Sequence, residues 1–83
     1  MTDAERLRDD VARKLWARSP ALARQVHACP AEIDEGLLGS SLVLYCATPA
    51  VDERLRRAQP QIGEALREVR GEDQPTEIRL GAG

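Results

Sequence analysis

The segment from Leu42 to Val69 leaves this chain the least conformational freedom. Leu42, Val43, Leu44, Tyr45, Cys46 and Ala47 form the longest near-continuous apolar run and carry no charge. Their β-branched and aromatic members favour a strand with at least one buried face. Thr48-Pro49 ends that strand. Beyond it Val51, Leu55, Ala58, Ile62, Leu66 and Val69 recur at steps of four, three, four, four and three, the stripe of a helix lying on a sheet. Pro60 interrupts the stripe, because it lacks the amide hydrogen that would bond to Arg56. The helix therefore kinks there, or breaks into two segments with Pro60 opening the second.

The flanking elements follow from local signals. Thr2 with Glu5 has the capping-box pattern, and Asp3 adds a favourable charge in the first turn. Ala4, Leu7, Val11 and Leu15 then define one face of a helix over 3–18. Ser19-Pro20 reads as an N-cap with proline at the first helical position. The second helix carries Leu22, Ala23 and Val26 inward and ends near Ala28, since Pro30 pushes its predecessor out of helical geometry. Ile33 between acidic neighbours suggests an edge strand over 31–35. Residues 36–41 are expected as a loop with two glycines, and the strand over 42–47 pairs antiparallel with the first. Gly71 closes the long helix, and 72–75 is a polar turn. Ile78 and Leu80 alternate with Glu77 and Arg79 in a third strand over 76–80, leaving Gly81-Ala82-Gly83 as a frayed tail. The order α-α-β-β-α-β implies a small α+β domain over 1–83, with helices covering one face of a three-stranded sheet. The helix between the second and third strands permits a crossover, and with it a mixed sheet.

Composition narrows the function classes. A chain of 83 residues buries roughly 60–65% of its unfolded surface, so its core is thin. Trp16 and Tyr45 are the only aromatics and there is no Phe, so that core must be aliphatic. Twelve Lys and Arg against 14 Asp and Glu give a net charge of −2, and any nucleic-acid binding must come from a local patch. The charged N-terminus from Asp3 onward argues against a signal peptide, and no apolar run approaches the ~20 residues of a membrane span. A cytoplasmic protein is expected, with Cys29 and Cys46 as thiols rather than a disulfide.

Catalytic and metal chemistry find little support. Ser40, Ser41, His27 and Asp34 supply the residue types of a hydrolase triad without any motif around them, so the chain is read as not an enzyme. His27 and Cys29 fall short of the three or four ligands zinc needs, and no cofactor is expected. Gly36-Leu37-Leu38-Gly39 matches the Gly-x-x-Gly string of RNA-binding K-homology domains. There the loop joins two helices and clamps phosphates, whereas here it lies between strands and holds two leucines, so it is read as a hairpin turn. Exposed Leu37 and Leu38 would form a small sticky patch for a partner.

Trp16, His27 eleven residues later, then Pro30, form one pattern. The block 42–46, then Leu55, Pro60 and Leu66, and finally Ile78-Arg79-Leu80 extend it. Over 15–81 this resembles the DciA family, the bacterial operators of the replicative helicase DnaB. The chain departs from that pattern in three places. Ala28 stands where the family has Thr, residues 36–41 look longer than the usual turn, and Val51 occupies the position of a common Trp. The family's disordered extension is also nearly lacking.

The resemblance implies a K-homology-like fold, weak binding to single- or double-stranded DNA, contact with DnaB during helicase loading, and residence at the bacterial nucleoid. Arg56, Arg67 and Arg70 fall within about 60° of one another on a helical wheel, beside the apolar stripe rather than opposite it. The plain reading is a solvated helix flank; facing DNA, they would neutralise phosphates, with Arg54 or Arg57 at the rim, and Lys14 and Arg18 would add a second basic group with Arg13 and Arg24. Glu53, Glu64 and Glu68 on the far flank would repel a phosphate backbone, so DNA binding is expected to be directional and salt-sensitive. Trp16, with Val51, Leu37 and Leu38, is the candidate partner contact; beside Leu15 and off the Ala4–Leu7–Val11 line, Trp16 reads first as packing at the core's edge, and otherwise as a protein anchor or a base-stacking ring. The rival reading is an interaction module resembling the N-terminal domain of the initiator DnaA, which need not bind DNA. A third is a homodimer formed through Leu37 and Leu38 or the Ile33 edge strand.

Overall fold

The structure, a computed structural model, describes residues 1–37 and 39–82. Helix α1 spans Asp3–Trp16 and α2 Pro20–Ala28; strands β1 and β2 span Ala31–Gly36 and Gly39–Cys46. Helices α3 (Pro49–Arg57) and α4 (Gln59–Val69) follow, and β3 (Glu77–Ala82) closes the chain. The expected α+β order is therefore present, with the long helix broken rather than kinked.

The helix starts are fixed by the residues that predicted them. The Thr2 hydroxyl accepts from the Glu5 amide at 3.1 Å, and the Glu5 carboxylate accepts from the Thr2 amide at 3.2 Å. The Thr2 hydroxyl also donates to that carboxylate at 3.0 Å, and the two bonds it receives from Thr2, the backbone one first, hold the Glu5 carboxyl below its usual value. Ser19 caps α2 by accepting from the Leu22 amide, and Thr48 caps α3 by accepting from the Val51 amide. At Ala58 the chain leaves helical geometry (φ −94°, ψ 3°), and Pro60 sits in the first turn of α4, where a missing amide hydrogen does no harm. The Gln59 side chain donates to the Ile78 carbonyl at 2.9 Å, tying this break to β3.

The sheet has the order β1-β2-β3, with β2 central, antiparallel to β1 and parallel to β3. Its register places Ile33 opposite Leu42 and Ala31 opposite Leu44, while Ile78 and Leu80 flank the same two leucines from the other side. These residues share one face with period two. On it Leu42 and Leu44 are fully buried, in one cluster with Leu7, Val11 and Leu15 of α1, Val26 of α2, Leu55 of α3 and Ile62 and Leu66 of α4. Among the described residues no helix covers the other face. There Tyr45 donates to Glu32 at 2.9 Å, Arg79 pairs with Asp34, and Val43 lies beneath them.

Two expectations fail at the strand ends. Gly39, Ser40 and Ser41 belong to β2, not to a loop, because they pair with Gly36, Glu35 and Asp34 of β1. Gly39 takes φ 138°, a conformation glycine adopts without a Cβ clash. Gly81 and Ala82 are likewise strand, not frayed tail, since they pair in parallel with Tyr45 and Cys46. Gly81 is needed there: a Cβ would stand 3.0 Å from two carbons of the Tyr45 ring. Helix α1 also ends at Trp16, two residues short of the expected Arg18.

Candidate interaction surface between the first two helices

Helices α1 and α2 form an antiparallel-like pair whose small residues let them approach. Ala4 and Ala12 of α1 and Ala23 of α2 are buried at 6%, 5% and 2% exposure. Between Ala4 and Ala12, at helical steps of four, lies Arg8, which thus points into the apolar stripe. Its side chain is 12% exposed and Asp9 is 17% exposed. Arg8 Nε and Nη2 hold the Asp9 carboxylate at 3.0 and 2.9 Å, while Nη1 donates to the Cys29 carbonyl at 2.9 Å. The His27 ring nitrogen Nε2 lies 3.5 Å from the same Asp9 oxygen. Sequence reasoning missed this Arg8–Asp9 hub; the visible signal was a charge inside the α1 stripe, flanked by two alanines.

Beyond the hub an open cleft of about 420 Å³ runs between the helices, with Ala12 and Ala23 at its floor and His27 and Arg13 among its walls. Trp16 stands at the end of α1 and is 49% exposed. The Arg24 guanidinium carbon lies 5.3 Å from the centre of its ring, a cation–π contact between helices. Trp16 is thus propped at the rim of the cleft instead of being spent in the core, and presents a large, nearly rigid amphipathic surface to solvent.

The predicted basic residues are spread, not gathered. The wheel that aligned Arg56 with Arg67 and Arg70 assumed one continuous helix, and the break at Ala58 puts Arg56 on α3 and Arg67 on α4, with Arg70 just beyond it. Arg56 holds Asp52 at 2.7 Å, and this hydrogen bond raises the guanidinium's pKa further. Arg57 holds Glu53 at 2.7 Å. Arg70 is half-buried and donates to the carbonyls of Gly71 and Gln74, both at 3.2 Å. Lys14 reaches Glu68 at 3.8 Å, and Arg18 bridges Glu64 and Glu68 at 3.6 and 3.9 Å. Among the described residues Arg54 and Arg67 make no ion pair, and both are exposed.

The other candidate contacts are also separate. Val51 is half-buried and packs against the core. Leu37 is fully exposed at the β1–β2 turn, and Leu38 lies outside the described residues. Among the described residues no three His, Cys, Asp or Glu side chains assemble as a metal cage, and no helix is long and apolar enough to cross a membrane.

No protein-family model matches the sequence, and neither a curated protein nor a solved structure matches it.

Proposed function

We propose that this chain is a DNA-replication accessory protein of the DciA type, assisting the loading of the replicative helicase DnaB through protein contacts, with weak DNA binding beside them. The observation that carries this reading is Trp16, half-exposed and braced by Arg24 beside an open cleft. Tryptophan and arginine are the residues most enriched among the energetic anchors of protein interfaces, and here the two meet in one preformed feature. The α-α-β-β-α-β order, with Pro60 in the first turn of the last helix, supports this reading.

The mechanism requires no nucleotide. A domain that holds the helicase through one surface and a strand through another raises their effective concentration for each other. The paired arginines argue for a subordinate DNA term, since a phosphate must displace a carboxylate already held at 2.7 Å by Arg56 or Arg57. That same pairing favours the second reading, an interaction module resembling the N-terminal domain of DnaA that binds no DNA.

Co-migration with DnaB on a sizing column tests the first reading. A complex at micromolar concentrations that Trp16→Ala weakens at least tenfold is expected. Absence of any complex at those concentrations rejects the helicase assignment.

A further inference from the structure

The thiols of Cys29 and Cys46 take no part in the surface described above. The register of β1 and β2 sets Ala31 opposite Leu44 and Glu32 opposite Val43. One step beyond β1, the Tyr45 amide donates to the Pro30 carbonyl at 2.9 Å, so the same register continues. A further step brings Cys29, in extended geometry (φ −78°, ψ 132°), directly opposite Cys46. The two share the helix-covered face with Ala31, Ile33, Leu42 and Leu44, and each is 4% exposed.

The type of pair matters. Pro30 and Tyr45 occupy a hydrogen-bonded position, from which Pro30 can return no amide hydrogen. Cys29 and Cys46 therefore fall on a non-hydrogen-bonded position, where opposed Cα atoms lie about 4.5 Å apart and side chains approach most closely. That separation is inside the range of roughly 4.4–6.8 Å that a disulfide spans. Both thiols are free. Burial pushes the Cys29 thiol up to about 11, and the neighbouring Cys46 adds to that push. An open cleft of about 360 Å³, lined by Cys46 with Thr48, Asp52, Arg56 and Ala82, reaches Cys46 from solvent.

We propose that Cys29 and Cys46 are a redox site, which a small-molecule disulfide oxidises to a cross-strand bridge closing the open end of the β1–β2 hairpin. One cysteine thiolate attacks a sulfur of the small disulfide and releases its first half as a thiol. The second cysteine thiolate then attacks the mixed disulfide and releases the other half. The protein loses two S–H bonds and gains one S–S bond, and the reagent's S–S bond becomes two S–H bonds, so two electrons and two protons pass to the reagent. The bridge ties the C-terminal end of α2 to the end of β2, just ahead of the α3 cap. High thiol pKa and burial make the forward reaction slow and dependent on brief opening of that end.

The full chain, incubated with oxidised glutathione, is read by intact mass, non-reducing peptide mapping and thermal melting. The expected product has lost two hydrogens, carries no glutathione, yields a Cys29–Cys46 cross-linked peptide and melts roughly 10 °C higher than the reduced chain. Cys29→Ala and Cys46→Ala, tested separately, keep their melting temperature under the same treatment. Stable glutathione adducts on the parent chain, covalent dimers, or oxidation seen only after unfolding in guanidinium would each overturn the proposal. So would a bridged chain that melts no higher than the reduced one.

Discussion

Truncating Arg8 removes one end of the most buried ion pair in the structure. Its guanidinium serves two acceptors at once, the Asp9 carboxylate at 2.9–3.0 Å and the Cys29 carbonyl at 2.9 Å. In Arg8→Ala a carboxylate only 17% exposed loses its main counter-charge, and the carbonyl at the end of α2 loses its donor. Breaking a fully buried pair costs about 3–5 kcal/mol, and partial solvent access plus the nearby His27 ring reduce that figure to roughly 2–3 kcal/mol here. For a domain of this size the loss lowers the melting temperature by roughly 10–20 °C. Urea denaturation followed by circular dichroism measures it directly. A double variant, Arg8→Leu with Asp9→Leu, removes both charges and is expected to recover at least half the loss, because no uncompensated ion is left behind. Arg8→Ala within about 0.5 kcal/mol of the parent, the range of ordinary surface changes, would refute the hub, as would a double variant whose loss is the sum of the single ones.

Gly81→Ala is expected to cost about 1 kcal/mol, because its new methyl stands 3.0 Å from the Tyr45 ring and pushes the phenol off Glu32; an unchanged urea midpoint contradicts this packing. Stability is expected to fall with rising pH from near 9.0 toward about 11, since burial raises the Cys29 thiol in the fold and its thiolate forms more readily in the unfolded chain. Cys29→Ala should flatten that alkaline limb, as read by melting temperature against pH. If DNA binds through Arg54 and Arg67, both exposed and without ion partners among the described residues, the slope of log affinity against log salt is about −2. Fluorescence anisotropy giving a slope near −5 would mean that the paired cations also engage phosphates.

Much of the fold was legible because its signals are local. Thr2, Ser19 and Thr48 announce their helices through side chains that cap within three residues. The helix break was equally local, a proline lacking the one hydrogen the ladder required. What escaped depends on distant partners. Ser40 and Ser41 have a turn-like composition, yet they lie in β2, where pairing with Glu35 and Asp34 of β1 overrides it. Gly81 and Ala82 are held by a parallel neighbour more than thirty residues away, a pairing that no local pattern encodes. The arginine row failed for a geometric reason, because an angle measured on a wheel loses meaning once the helix is interrupted. Trp16 was legible as a residue near the edge of the core, but its prop, Arg24, sits on another helix and came only from their packing.

In the proposed function the Trp16 cleft is the surface that meets the helicase. The direct measurement is a proton–nitrogen correlation spectrum of the isotope-labelled chain titrated with unlabelled DnaB. The Trp16 indole signal and the amides of Ala12, Ala23 and Arg24 are expected to shift or broaden first. Changes centred instead on Glu32, Val43 and Arg79 of the open sheet face, or a spectrum that does not change at all, would contradict it.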